Sequence, residues 1–262
     1  MKKRSFAAFF VAALILAGCN GEQAEPNGPE GTKAEHIHIY EATVVAATMD
    51  AQGYTLHVCS ECGDSYTDAY TEKLPAVSSL AEENLLLPGE EFSRERQYAP
   101  EFVMIHFTSA VVLSKEDPYN METVRSIFAD YGVSVHYIVG RDGKIQCYVP
   151  ETLVAYHAGK GTWGDDPQYT NLMNEYAIGI EVVGIGSQKD MAQYLTADQY
   201  NALDPALIGF TDAQYAALRQ LVQDICSRHG IAMDRQYIIG HEEYSSSKTD
   251  PGELFDWNRL LS

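Results

Sequence analysis

Positive charge is scarce in this 262-residue chain: 18 Lys and Arg stand against 37 Asp and Glu, for a formal net charge of −19. Such a surface repels nucleic acid and other polyanions, which excludes a general phosphate-backbone binder. Long apolar runs are lacking too. The longest, Phe6 to Ala17, has about twelve residues where a membrane-spanning helix needs ~20. No Gly-x-Ser-x-Gly occurs, so there is no nucleophile elbow, and neither Cys147 nor Cys226 sits in a recognisable nucleophile context. Gly184-Ile-Gly186-Ser is too short a match for a dinucleotide loop. Cysteine itself is sparse, five residues in all. Cys147 and Cys226 lie alone in apolar surroundings, where a disulfide between them and two buried thiols are both compatible with the sequence.

What is present begins with Lys2, Lys3 and Arg4 ahead of the apolar run, which ends in Leu16-Ala17-Gly18-Cys19. Charge, apolar core, small residues and cysteine in that order resemble the lipobox of bacterial lipoproteins. The resemblance implies an export signal over residues 1–18 and a diacylglycerol on Cys19. The protein would then be extracytoplasmic and held at the bacterial membrane by that lipid alone. Residues 19–35 are rich in Gly, Pro and Glu without a large apolar side chain, which predicts a flexible tether.

Residues 36–75 have a different texture. His36–Tyr40 and Tyr54–Val58 alternate as β-strands do, and the second runs into Cys59-Ser-Glu-Cys62-Gly63. A small β-rich module is expected, and at ~40 residues it needs a staple to fold alone. The stretch resembles small Cys-containing repeats of Gram-positive surface proteins through Gly53-Tyr54-Thr55 and Cys59-x-x-Cys62-Gly63, with Met49 where those repeats carry a first cysteine. A zinc knuckle from Cys59, Cys62 and one or two of His36, His38 and His57, a local disulfide, and a metal-free hairpin all remain open. Residues 76–97 read as a linker.

From residue 98 the pattern is that of an α/β domain reaching residue 262. Phe102–Phe107, Val133–Val139, Lys144–Val149, Ala177–Val183 and Tyr237–Ile239 predict about five strands, with a hairpin turn at Asp142-Gly143. Met121, Val124, Phe128 and Tyr131 recur at helical spacing before Gly132. Thr211 and Gln214 open a second helix as a capping box, and Tyr215, Leu218, Leu221, Val222 and Ile225 form its apolar stripe up to Gly230. Leu195-Thr-Ala-Asp-Gln-Tyr200 echoes Phe210-Thr-Asp-Ala-Gln-Tyr215, which predicts an inserted short helix.

Three apolar strands end in a polar group: His106, Glu181 and, after Tyr237-Ile-Ile-Gly240, His241. Singly, each reads as a structural or exposed residue. The loop His241 to Gly252 adds Lys248 and Asp250. Two histidines and a carboxylate suffice for a catalytic zinc, whose bound water falls to a pKa of ~7. Amide hydrolysis then needs a base and an oxyanion stabiliser, and Glu181 and Lys248 are available for those tasks.

These motifs resemble the zinc-dependent N-acetylmuramoyl-L-alanine amidases of the amidase-2 type, relatives of peptidoglycan recognition proteins. The resemblance covers residues ~98–260. It rests on Val103-Met-Ile-His-Phe-Thr108, Val133-Ser-Val-His-Tyr-Ile138 with Arg141-Asp-Gly143, Ala155-Tyr-His-Ala-Gly159, Ile178-Gly-Ile-Glu181, and Ile239-Gly-His241 through Lys248-Thr-Asp-Pro-Gly252 to Phe255-Asp-Trp257. It implies a central mixed sheet flanked by helices, and Zn2+ held by His106, His241 and Asp250. Glu181 would be the general base, Lys248 the oxyanion stabiliser and His157 a substrate-binding residue, with His136 structural. The implied partner is peptidoglycan or a muropeptide, with no nucleic acid, and the chain is expected to act as a monomer. The alternative on the same fold is a non-catalytic peptidoglycan receptor. Departures are Phe107, where His or Asn is common, Val135, where some relatives carry Tyr, and a long segment 184–210 that would remodel one rim of the cleft.

Overall fold

The computed structural model describes residues 36–48, 51–84, 87, 89 and 91–262. The expected export signal, the lipidated Cys19, the tether and Met49 lie outside the described residues. No helix among the described residues is long and apolar enough to cross a membrane.

The first unit is an antiparallel meander of β1 (Tyr40–Val45), β2 (Gly53–Cys59) and β3 (Ser65–Thr71) in that spatial order. Its first strand starts at Tyr40, where the alternation predicted His36–Tyr40. Tyr40 pairs with Cys59, and His36–Ile39 precede the strand as an irregular strap. β3 was not anticipated, because its Ser-Tyr-Thr-Asp-Ala-Tyr-Thr is exposed on both faces and has no apolar alternation to read.

The second unit follows as β4 (Glu83–Asn84), β5 (Ser93–Glu95), β6 (Phe102–Thr108), α1 (Met121–Tyr131), β7 (Tyr137–Val139), β8 (Ile145–Cys147) and β9 (Leu153–Ala155). It continues with α2 (Met173–Tyr176), β10 (Ala177–Val183), α3 (Ala197–Asn201), α4 (Asp212–His229), β11 (Ile238–Gly240), α5 (His241–Tyr244) and α6 (Trp257–Leu261). Its main sheet has the order β11-β6-β10-β7-β8-β4. The first four strands are mutually parallel, β8 is antiparallel to β7, and β4 is parallel to β8. This is the expected mixed sheet of five strands, extended at one edge by the two residues of β4.

The stretch 76–97 is not a free linker. β4 joins the main sheet, β5 pairs with β9, and Leu87 and Phe92 are buried. The Ser78 amide donates to the Tyr137 hydroxyl at 2.8 Å. Strands of two and three residues carry no periodicity, which is why composition alone reads this region as a connector. The predicted strand Val133–Val139 also shortens to Tyr137–Val139. Ser134 is held by side-chain bonds to the Phe92 carbonyl (2.5 Å) and the Tyr156 amide (2.7 Å) instead of by a ladder.

The helices follow local rules. α1 is capped by the Asn120 side chain on the Thr123 amide and ends at Gly132 in the left-handed region. Both echoed segments form capping boxes, Thr196 with Gln199 on α3 and Thr211 with Gln214 on α4. The α4 stripe Tyr215, Leu218, Leu221, Val222 and Ile225 packs against Val103, Ile105, Ile178, Ile180 and Val182, the residues that alternate onto one face of β6 and β10. The other face carries Phe102, Met104 and Ala177, covered by Ala158, Met173, Tyr176 and Tyr244. Cys147 and Cys226 are both buried free thiols.

Near the C-terminus of α4, Glu151 is fully buried and accepts from Arg228 (2.5 and 2.6 Å), His229 Nε2 (2.6 Å) and the Tyr137 hydroxyl. Burial alone pushes its carboxyl up, but His229 and Arg228 outweigh that and hold it down at about 2. A depressed carboxylate contributes stability that is present above its unfolded pKa and lost as pH falls through the folded one. Glu151→Gln should therefore be less stable than wild type at pH 7 and lose less additional stability between pH ~4.5 and 2, measured by denaturant unfolding across that range. Glu151→Ala should cost ~3–5 kcal/mol at pH 7, because it removes the buried acceptor shared by Arg228, His229 and the Tyr137 hydroxyl and leaves Arg228 with Asp224 as its carboxylate partner.

Candidate active site

The three polar strand ends found in the sequence meet at the carboxyl edge of β11-β6-β10, where open parallel sheets place their ligands. β6 and β10 pair in a register that sets Glu181 opposite His106. β11 pairs with β6 up to Gly240 opposite Ile105, so His241 emerges beside His106 as the first residue of α5. Side chains alternate along a strand, so His106, Glu181 and Gly179 share the face away from α4.

Asp250 enters from the loop after α5. Its Oδ2 lies 2.8 Å from His106 Nδ1 and 3.0 Å from His241 Nδ1, and the two Nδ1 atoms are 3.0 Å apart. His106 and His241 are only 2 % and 3 % exposed. His241 Nε2 sits 3.0 Å from the Ala158 carbonyl. A carbonyl only accepts, so His241 donates from Nε2, and Nδ1 is the ring atom turned toward the cluster. His106 Nε2 lies 3.0 Å from His157 Nδ1, which leaves His106 Nδ1 as the ring atom facing the cluster.

Protonation follows the surroundings. Burial, then the neighbouring His241, drives His106 down to about 4, so it is neutral at pH 7. Burial raises Asp250, but bonds from His106 and His241 outweigh it and hold the carboxylate ionised. A neutral His106 and an ionised Asp250 suit a zinc ion, with His241 Nδ1 as the third donor atom facing them. Tetrahedral bonds of 2.0–2.1 Å put donor atoms ~3.3 Å apart, close to the spacing found. Three atoms able to ligate converge here, and a divalent cation would satisfy all three together. The residues present fit zinc.

Glu181 is the other unsatisfied group. Its Oε2 is buried without a hydrogen-bond partner, and burial, then the Asp250 charge, raises its pKa well above the carboxylate range, while Lys248 pulls it back. Lys248 is exposed at the rim, and its charge is felt by both Glu181 and His106. His157 lies on the inner side of His106. Its amide and that of Ala158 donate to Asn174 Oδ1 at 3.0 and 2.7 Å, and its ring covers Gly179. His136 takes no part: its Nδ1 accepts from the Gly179 amide at 2.9 Å, and Nε2 lies 3.1 Å from the Leu153 carbonyl.

The structure also gives roles that the motifs do not state. Asn174 belongs to no motif. Gly179 admits no side chain, since a Cβ would stand 2.6 Å from the His157 ring. The long segment 184–210 supplies Asp190, which accepts from the Ser187 and Glu253 amides at 3.0 and 3.1 Å and so ties the segment to the Lys248–Glu253 loop. Its carbonyl also accepts from Thr249 Oγ1 at 3.2 Å. The same segment brings Tyr194 close enough for the Asp250 and Glu181 charges to reinforce the effect of burial in raising its phenol. Phe107 joins an apolar cluster with Val111, Ile185, Met191 and Leu195 below that rim. Glu242, adjacent to a predicted ligand, carries a partnerless buried Oε2, and burial pushes its carboxyl up to about 8.

Residues 96–253 match the family described as Amidase_2: N-acetylmuramoyl-L-alanine amidase, and the chain belongs to that family. It is 36 % identical over 132 residues to the 1,6-anhydro-N-acetylmuramyl-L-alanine amidase AmpD of Haemophilus influenzae, covering 50 % of this chain and 58 % of that protein. It is 28 % identical over 166 residues to the N-acetylmuramoyl-L-alanine amidase AmiD of Escherichia coli K12, covering 60 % of this chain and 51 % of AmiD. The chain thus spans little more than half the length of these relatives. The crystal structure of a selenomethionine AmpD derivative superposes with a TM-score of 0.51 at 24 % identity, covering 72 % of this chain and 97 % of that one, and shows the same fold.

The packing of His157 between Gly179 and His106 yields a test. Gly179→Ala should displace the His157 ring and weaken zinc binding ~10–100-fold, the usual cost of a lost partner behind a metal ligand. Chelator competition on the purified chain measures it, and unchanged affinity would remove His157 from that supporting role.

Proposed function

We propose that this chain hydrolyses the amide between N-acetylmuramic acid and L-alanine in peptidoglycan or a muropeptide, with zinc as cofactor. One observation carries the reading: His106 Nδ1, His241 Nδ1 and Asp250 Oδ2 converge within 2.8–3.0 Å of one another, with the orphan carboxyl of Glu181 in register beside them. Zinc held by those three atoms would supply Lewis acidity toward the amide carbonyl and make water a stronger acid at neutral pH.

The chain's own groups do the rest. Glu181 has no competing hydrogen bond, and the charge of a bound zinc would keep its carboxylate ionised, so that it could accept the proton of the attacking water and pass it to the departing alanine amine. Lys248, exposed at the rim, donates to the carbonyl oxygen as charge develops there. The Asp190 tether and the packed segment behind it hold the Lys248 and Asp250 loop in position. His157 keeps the His106 ring oriented, and Tyr194 borders the cleft where the stem peptide would lie. The order of Lys2, Lys3, Arg4, the apolar run and Cys19 supports export and lipidation, so the substrate would be met outside the cytoplasm at the membrane surface.

Release of free stem peptides with an N-terminal alanine from purified peptidoglycan, abolished by chelator and restored by zinc, is the expected result. Glu181→Gln should lower the rate ~10²–10⁴-fold while zinc content stays at the wild-type level. Lys248→Ala should slow release ~10²–10³-fold without loss of metal. Zinc bound tightly with no release from any wall type would favour the receptor reading, and full activity in Glu181→Gln would take the base role from Glu181.

A further inference from the structure

The small β-meander contains a second cluster of metal-ligating side chains, remote in sequence from the amidase motifs. Its strands bury almost nothing: β3 is exposed throughout, β1 has no buried residue, and β2 buries only Gly53 and Cys59. Three strands without an apolar face do not hold together in water, so something other than a core must lock them. Among the described residues of this unit there is no disulfide, since Cys59 and Cys62 are both free thiols.

What the fold does bring together is four donors. The turn from β2 to β3 carries Cys59 and Cys62, closed by Gly63 in the left-handed region with its amide on the Cys59 carbonyl at 2.9 Å. The turn aims the Glu61 and Cys62 amides at the Cys59 sulfur and the Asp64 amide at the Cys62 sulfur. The strap before β1 lies over this turn, with the Ser60 amide bonded to the Ile39 carbonyl. Residues two apart in an extended chain share a face, so His36 and His38 both look down onto the sulfurs. His36 Nε2 is 3.5 Å from Cys59 Sγ, and His38 Nδ1 is 3.3 Å from Cys62 Sγ. One donor atom from each of the four lies within 4.8 Å of all the others.

We propose that His36, His38, Cys59 and Cys62 form a structural tetrahedral zinc site that staples the strap to the β2–β3 turn and supplies the stability the missing core does not. Zinc bonds of ~2.3 Å to sulfur and 2.0–2.1 Å to nitrogen put S and N donors ~3.5 Å apart, and the two S···N distances found match that edge. Four protein donors close the coordination sphere, which suits a structural role and leaves no position for water or substrate. A local disulfide would use both sulfurs and leave the two histidines without a reason to converge on them. His57, the third histidine the sequence offered, is excluded by its partners: its Nε2 is 2.9 Å from Asp68 Oδ1 and its ring is stacked on Tyr66. The proposal is independent of the amidase reading, because the two clusters share no residue.

The test uses the full chain, purified reduced and without chelator, then loaded with cobalt(II) in place of zinc. Thiolate donors give an intense near-ultraviolet sulfur-to-cobalt charge-transfer band, and the His106, His241 and Asp250 cluster has no sulfur to produce one. The band should be present in wild type and in the His106→Ala, Asp250→Ala double variant, and absent in the Cys59→Ser, Cys62→Ser double variant. Elemental analysis should give two zinc ions per wild-type chain, and one after either the double cysteine change or His36→Ala with His38→Ala. A wild-type cobalt protein with no thiolate band would overturn the proposal. So would a chain whose mass shows Cys59 and Cys62 oxidised to each other as isolated, with no metal lost on mutating them. The wild-type spectrum decides the question even if the module variants fail to fold.

Discussion

The register between β6 and β10 is the constraint on which the rest of this molecule depends. Parallel pairing sets Ala177 opposite Phe102 and, four residues on, Glu181 opposite His106. A slip of one residue would turn every side chain of the moved strand to the other face. His106 would then point into the α4 core, or Glu181 would. The register is protected because Val103, Ile105, Ile178 and Ile180 are all completely buried against α4. The energy that holds the polar edge in place is therefore apolar and comes from the opposite face of the same strands.

Polar groups gathered at that edge are costly, and the structure divides them into two kinds. Some are fully partnered. His136 bridges two strands, and Asn174 and Asp190 each accept a pair of backbone amides. These rigidify the loops that carry His157 and Asp250. The others are left short of partners: three ligating atoms crowd within 2.8–3.0 Å of one another, and Glu181 has a buried oxygen with none. Buried groups of the second kind persist where a ligand completes them, which is why the same residues read as a metal centre with an adjacent base.

The two units of the chain solve the folding problem differently. The larger one has two packed layers against its sheet and needs no cross-link, so Cys147 and Cys226 remain buried thiols. The meander has no such layer; it has backbone ladders and, at one end, the four converging donors proposed as its staple. On the two proposals, metal would have distinct tasks in one protein: chemistry at a sheet edge that is already stable, and stability at a turn where chemistry is closed off.

Much of this was legible in the amino-acid sequence. The strands Phe102–Thr108 and Ala177–Val183, the two long helices with their caps, and the residues His106, Glu181, His241 and Asp250 are all visible there. The reason is that they depend on local signals: apolar runs, capping boxes, glycine stops and motif spacing. Even the echo at Thr196 and Thr211 reports a local fact, since each is a capping box. What the chain could not announce is anything set by distant contact. The absorption of residues 76–97 into the sheet, the Asn174 clamp, the Asp190 tether and the approach of Tyr194 arise from pairings 50 or more residues apart or from short irregular turns. The choice of His36 and His38 over His57 was likewise made in three dimensions, where Asp68 and Tyr66 across the β2–β3 ladder engage one histidine and the strap presents the other two to sulfur. Sequence determined which chemical groups were available and on which local elements; tertiary structure decided which of them meet, because convergence depends on strand register and loop path, which no local signal encodes.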